Sequence, residues 1–238
     1  MKLKLNNYYN MDCMEGMKLI PDKYFELAFV DPQWGRKEHG GKDRSRYVKQ
    51  DNGKLTLVPS GNYEKKNWDN QPAGKEYFRE LLRVSKNQII WGENYFDEVF
   101  GPGRIIWDKC NDGTDQSDCE IAYNSLTDRV DIFRYMWRGM FQGKSITKGH
   151  IQQGDKSKNE KRIHPTQKPV PLYKWLLMKY ATVGDKILDT HVGSASSLIA
   201  CHEMGFEFMG FEIDKDYYKK SSIRLENIRS QLSMFEII

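Results

Sequence analysis

The chain has 238 residues, 39% hydrophobic and 29% charged, with a net charge of +4, which is enough apolar material to bury one large core and reads as one domain over residues 1–238. No apolar run approaches the roughly 18 residues of a membrane span, and the opening MKLKLNNYYN is too polar for a signal peptide, so a cytoplasmic protein without a membrane partner is expected. Four cysteines without Cys-x-x-Cys spacing and five histidines without ligand spacing argue against a disulfide framework and against a metal site.

Taken in chain order, the first feature is Asp12-Cys13 with Glu15 three residues after the aspartate, a helix N-cap and capping box. An apolar strand follows over 27–30 and stops on Asp31-Pro32-Gln33-Trp34-Gly35, where a carboxylate, a residue lacking its N–H, an amide and a large aromatic open a loop. Residues 35–66 hold nine Lys or Arg against four acids. Strands are predicted over 88–91, 104–107, 120–123 and 130–135. A second basic stretch, 138–163, has seven cations against two acids, so the positive charge sits in two Gly-, Ser- and Lys-rich segments while the rest of the chain is acidic. That distribution fits a nucleic-acid footprint and equally fits solvated loops.

After it comes His164-Pro165-Thr166-Gln167-Lys168-Pro169, then a helix with Pro171 in its first turn and Leu172, Trp175, Leu176 and Tyr180 on one face. A strand over 186–188 leads through Asp189 and His191 to Gly193 and Ser194, and Ser194 to Ser197 open a helix whose first N–H groups are free. A strand over 207–211 ends at Glu212, nineteen residues beyond Gly193, about where an acid in a Rossmann-like unit meets ribose hydroxyls. A last helix after Asp214 carries the stripe Tyr218, Leu225, Ile228 and Leu232. Alternating strands and helices predict an α/β fold, a mostly parallel twisted sheet with helices on both faces.

The order of the motifs Asp-Pro-Gln-Trp, then His-Pro-Thr-Gln-Lys-Pro, then ILDTHVGSASS with GFEID resembles the β-class amino-group DNA methyltransferases, and the resemblance covers nearly the whole chain. It implies a Rossmann-like fold dependent on S-adenosyl-L-methionine and a double-stranded DNA substrate, and members of that family are often dimers. Asp31, Pro32, Gln33 and Trp34 then form the catalytic motif. Asp12, Cys13, Thr166, Lys168, Asp189, His191, Gly193, Ser194 and Glu212 become cofactor contacts, with Thr166 and Lys168 beside its carboxylate and Glu212 on its ribose. For Asp12 both the capping role and the cofactor role stay open, and Trp107 and Asp108 fall on a motif near the target pocket or in the core. Residues 35–66 become a basic loop on the catalytic side and 138–163 a small recognition insertion, with Arg36, Lys37, Arg44, Arg46, Lys144, Lys148, Lys156 and Lys158 expected on phosphates.

In this reading Asp31 and the Pro32 carbonyl take the two N–H groups of an exocyclic amine, and Trp34 stacks on a base drawn out of the duplex. Adenine N6 is the expected target. Cytosine N4 is the alternative, because it uses the same amine geometry, although relatives of that type usually carry Ser where this chain has Asp31. Methylation at cytosine C5 needs a cysteine after a proline, and none of the four cysteines has one. Gln33 stands where the family commonly has proline, and His191 and Ala195 alter its cofactor loop. A DNA-binding relative with impaired transfer is therefore kept as a second alternative. No feature points to a restriction partner.

Overall fold

The computed structural model describes residues 2–37, 45–49, 52–58, 63–112, 117–138, 141–143 and 159–235. In chain order its elements are β1 (Asn7–Asn10), α1 (Cys13–Lys18), β2 (Phe25–Val30), β3 (Arg46–Lys49), β4 (Leu55–Val58), α2 (Lys75–Val84), β5 (Ser85–Trp91), a 3₁₀ turn (Glu93–Tyr95), β6 (Arg104–Asp108), β7 (Cys119–Asn124), β8 (Val130–Arg134), β9 (Met136–Arg138), β10 (Phe141–Gly143), α3 (Val170–Tyr180), β11 (Lys186–Asp189), α4 (Ser196–Glu203), β12 (Glu207–Glu212) and α5 (Lys215–Phe235).

Eight strands form one sheet in the order β1-β12-β11-β2-β5-β7-β6-β8. Every neighbouring pair is parallel except those of β7, which runs against both β5 and β6. Side chains alternate across the pleat, so β2 sends Leu27 and Phe29 to a core shared with Leu172 and Leu176 of α3, Ile199 of α4 and Leu225 of α5. Ala28 and Val30 go to the opposite core, with Met17 of α1 and Tyr77, Phe78 and Leu81 of α2. Both faces are therefore covered, and that is why the central strands read as unbroken apolar runs.

Some boundaries differ from expectation. The strand predicted over 130–135 ends one residue early at Arg134; Tyr135 N–H still donates to Asp108 O at 3.0 Å, and the next residues leave the large sheet for a ribbon of β9 with β10. In α5 it is Tyr217 that is buried, with Ser221 and Leu225, whereas Tyr218 sits over Tyr8 at 4.7 Å. The Leu232 side chain lies outside the described residues. The helix itself starts where Asp214 predicts, since Asp214 Oδ1 accepts from the N–H groups of Asp216 and Tyr217 at 2.9 and 3.1 Å. Among the described residues no helix is long and apolar enough to cross a membrane.

Candidate active site

The carboxyl ends of β2, β11 and β12 meet along one edge of the sheet, where open α/β sheets bind ligands. Parallel register puts Leu188 opposite Ala28 and Asp189 opposite Gly210, so Asp31, Asp189 and Glu212 converge there although 181 positions of chain separate the first from the last. Asp31 and Glu212 line one cavity of about 300 Å³ with Asp12, Cys13, Gln33, Trp68, Tyr77, Thr166, Lys168, His191, Gly193 and Ser194, whereas Asp189, expected as a cofactor contact, is buried outside that lining, next to its members Thr190 and His191.

On the cofactor side of the expectation, Glu212 is already oriented by the backbone. Its Oε2 accepts from Gly193 N–H at 2.8 Å and its Oε1 from Asp214 N–H at 2.8 Å, and each oxygen keeps a further lone pair for a ligand hydroxyl. Burial pushes its pKa up to about 6. Asp189 is buried at the end of β11, accepts from Ser197 Oγ, and takes His191 N–H at 2.9 Å. Burial outweighs those bonds and pushes its pKa up to about 7. Gly193 and Ala195 both have left-handed backbone, φ +54 and +63. The turn that presents the start of α4 to the cavity therefore costs this chain about 1 kcal/mol at alanine.

A polar chain runs behind this turn. Tyr77 Oη lies 2.7 Å from Thr190 Oγ1, Thr190 Oγ1 lies 2.9 Å from His191 Nδ1, and His191 Nε2 lies 3.8 Å from Cys13 Sγ. Burial lowers His191 to about 4 and raises the Cys13 thiol to about 12, so both are neutral near pH 7. Asp12 caps α1, its Oδ1 taking Met14 N–H at 2.7 Å, and it also lines the cavity, so the two readings of that residue coexist. Glu15 does not complete a capping box; it pairs with Lys18 at 2.7 Å.

Two expectations need correction. Lys168 lines the cavity, yet its ammonium is held by Asp31 Oδ2 at 2.5 Å and Glu120 Oε2 at 3.1 Å, because two buried carboxylates compete successfully for a buried cation. Burial would lower its pKa, but Asp31 and Glu120 outweigh burial and hold it above the ordinary lysine value.

Trp34 does not line the cavity. Its ring stacks on Tyr95 at 5.0 Å and 20°, with the Lys168 ammonium 5.0 Å from its centroid. It rests there because Gly92, at φ +72, leaves room for the indole edge; a Cβ at that position would meet Trp34 Nε1 at 2.1 Å. Gly92→Ala should therefore cost about 2 kcal/mol from overpacking and left-handed strain together. An unchanged denaturation midpoint would show that the ring is not seated in this notch.

The expected phosphate contacts fall partly within the described residues. Arg36 is exposed but donates to Tyr95 Oη at 2.7 Å and lies 5.1 Å from that ring's centroid. Lys37, also exposed, gives its backbone N–H to Asp69 O at 3.0 Å. Arg46 opens β3 with its side chain outside the described residues, as are Arg44, Lys144, Lys148, Lys156 and Lys158 altogether.

Sequence reasoning missed Trp68, Glu120 and Glu160. Trp68 walls the cavity, 5.3 Å from the His164 ring, with its Nε1 buried and unpartnered. The available signal was a lone indole in the charged stretch EKKNWDN. Its loop is pinned beside the catalytic motif, since Gly35 N–H donates to Asp69 Oδ1 at 2.8 Å and Ala73 N–H to Gln33 O at 3.0 Å. Glu160 joins the motif at 164–169 to the two C-terminal helices. It accepts from Gln167 Nε2 at 3.0 Å and Val170 N–H at 3.1 Å and pairs with Arg224, which in turn donates to Ser194 O at 2.7 Å.

A family model described as DNA methylase, N6_N4_Mtase, matches residues 31–223. The chain is 22% identical over 245 residues to the type II methyltransferase M2.DpnII of Streptococcus pneumoniae, covering 90% of this chain and 87% of that protein. It is 22% identical over 280 residues to M.HinfI of Haemophilus influenzae, covering 100% and 74%. In fold it is similar to M1.HpyAVI solved as its SAM complex (TM-score 0.53, 16% identity, 92% and 98% of the two chains). A comparable likeness is to the PvuII cytosine-N4-specific DNA methyltransferase (TM-score 0.53, 11% identity, 96% and 92%). With that match spanning the Asp-Pro-Gln-Trp motif, the 164–169 motif and the loop before α4, the chain belongs to the amino-group DNA methylases, the family that acts on adenine N6 or cytosine N4.

Proposed function

We propose that this protein transfers a methyl group from S-adenosyl-L-methionine to the N6 amino group of adenine in double-stranded DNA. The observation that carries the reading is Asp31 at the end of β2, with Oδ2 tied to Lys168 and Oδ1 buried in the cavity wall without a hydrogen-bond partner. A buried, unsatisfied carboxylate oxygen is costly unless a ligand donor completes it.

The cavity suits the cofactor by the chemistry of its lining. Glu212 offers lone pairs to ribose hydroxyls, Met14 and Ile213 give apolar walls beside it, and Thr166 and Ser194 supply further polar groups. When bound, the cofactor supplies an electrophilic methyl on sulfur. Asp31 Oδ1 would accept one N–H of the target amine and the Pro32 carbonyl the other, which localises the nitrogen lone pair for the new N–C bond. With the cofactor bound, the N–C bond would form as the S–C bond broke, and Asp31 Oδ1 would stabilise the positive charge arising on nitrogen and accept the amine proton. Trp68 walls the same cavity and takes over the base-stacking face first assigned to Trp34, recovering about 1–3 kcal/mol of lost stacking.

Enzymatically synthesised mixed-sequence duplex pools separate the two bases. One pool carries N6-methyladenine in place of adenine and the other N4-methylcytosine in place of cytosine. Labelled methyl is expected to enter only the second. Entry only into the first would assign cytosine N4, and entry into neither would favour the impaired DNA-binding relative.

Cofactor binding should also depend on pH. Asp189, beside the cavity and raised to about 7 by burial, and Glu212 in its lining, raised to about 6, are partly protonated in the cofactor-free protein. Their contribution to the stability of the empty protein is full below the unfolded carboxylate range, and it is lost as pH rises through about 6 and then about 7. A cation in the cavity favours the ionised forms, so affinity should rise through this window with net proton release. Calorimetry in buffers of different ionisation enthalpy checks this; binding without proton release at pH 6 would contradict it.

A further inference from the structure

Asp31 is the first member of a chain of alternating charges that no motif announces. Lys168 Nζ lies 2.5 Å from Asp31 Oδ2 and 3.1 Å from Glu120 Oε2, and Glu120 Oε1 lies 2.5 Å from Lys109 Nζ. The four groups come from the loop after β2, the 164–169 motif, β7 and the residue following β6, so the sheet itself sets their spacing. Lys168 is buried and the side chains of Asp31, Glu120 and Lys109 are 16–18% exposed. The Lys168 ammonium also faces the indole rings of Trp34 and Trp91 at 5.0 and 5.4 Å, which restricts it to the carboxylates at its other side.

We propose that Lys168 and Glu120 are positioning residues for methyl transfer. Lys168 fixes Asp31 through Oδ2 alone, and Glu120 draws Lys168 back so that it does not bridge both oxygens, which keeps Oδ1 open to the target amine. This rests on the reading of Asp31 as the acceptor for that amine. Asp31 must be ionised to accept an N–H of the amine and then its proton; burial, the larger influence, raises its carboxyl above the ordinary value and Lys168 offsets this in part. Glu120 stays an anion, because Lys168 and then Lys109 overcome its burial and hold it down to about 2.

The other groups facing Asp31 and Lys168 are Asp189 from β11, Tyr77 from α2, Tyr173 from α3 and His164. Burial keeps both tyrosines protonated and holds His164 down to about 3, so these three are neutral near pH 7. Asp189 is the neighbour that titrates near neutrality, and work at saturating cofactor separates its effect.

The test is the pH dependence of single-turnover methyl transfer at saturating S-adenosyl-L-methionine for the full chain, Lys168→Met and Glu120→Gln. Both variants should lose about tenfold or more at the plateau while still binding cofactor. Their acid limbs should move in opposite directions: upward in Lys168→Met, where a buried carboxylate has lost its cation, and downward in Glu120→Gln, where the freed ammonium closes on both Asp31 oxygens. Unmoved limbs, or limbs that move the same way, would overturn the proposal.

Should Lys168→Met fail to fold, Glu120→Gln decides alone, since it conserves volume; a downward limb supports the proposal and any other result overturns it. Asp31→Asn run in parallel separates the two layers. If it retains transfer, the reading of Asp31 fails; if it is inactive while the limbs stay put, only the positioning roles fail.

Discussion

Asp31→Asn is expected to lower single-turnover methyl transfer by about 10³-fold, a barrier increase of about 4 kcal/mol. The amide is isosteric, but the oxygen that faced the amine either becomes an N–H donor or remains a neutral acceptor, and neither stabilises positive charge on nitrogen or takes its proton. The fold should survive, because Lys168 keeps Glu120 as a partner at 3.1 Å. Cofactor affinity should stay within about threefold, since Glu212, Asp189 and the turn before α4 are untouched. Loss of cofactor binding in this variant would mean that Asp31 holds the cavity together, and full activity would mean that the amine is oriented by another group.

Glu212→Ala should have the opposite signature. It removes the expected ribose acceptor and also the carboxylate that Gly193 and Asp214 N–H groups donate to at 2.8 Å each. The Gly193 turn, already in left-handed backbone, then loses the bond that seats it against β12. Charged hydrogen bonds of this kind are worth about 1.5–3 kcal/mol, so the cofactor dissociation constant should rise by about 10- to 150-fold while the rate at saturating cofactor stays within a few-fold. Equilibrium binding beside single-turnover kinetics reads both. An unchanged dissociation constant would move the ribose away from Glu212, and a lost rate with intact binding would place this carboxylate at the reacting atoms.

The parts of the molecule that sequence conveys are those where one short stretch carries its own reason. AFV before Asp31 and IL before Asp189 are apolar on both pleat faces because both faces of the sheet are covered, and they stand out as buried strands. Asn7–Asn10 gives no such signal: Asn-Tyr-Tyr-Asn is polar at both ends and becomes a strand by pairing with Glu207–Glu212 at the edge of the sheet. The ribbon of Arg46–Lys49 with Leu55–Val58 lies within a stretch read as a basic loop, where lysine and arginine mask the alternation.

Within the site, residue types at strand ends placed Asp31 and Glu212 at one cavity, with Asp189 buried just outside its lining. What could not be read were partnerships across the chain. Lys168 is drawn to Asp31, 137 positions away, by two buried carboxylates, and Trp34 is held by a notch at Gly92 that exists only after β5 has paired with β2. Glu160 joins the 164–169 motif to Arg224 because α4 and α5 pack together, a tertiary fact with no local signature.

The central claim is amino-group transfer to adenine through Asp31. The most direct measurement is nucleoside mass spectrometry of mixed-sequence duplex DNA after incubation with S-adenosyl-L-methionine carrying a deuterated methyl, with wild-type protein and Asp31→Asn side by side. The predicted result is deuterated N6-methyladenine from the wild type and none above background from the variant. Deuterated N4-methylcytosine, or N6-methyladenine at equal yield from both proteins, would contradict it.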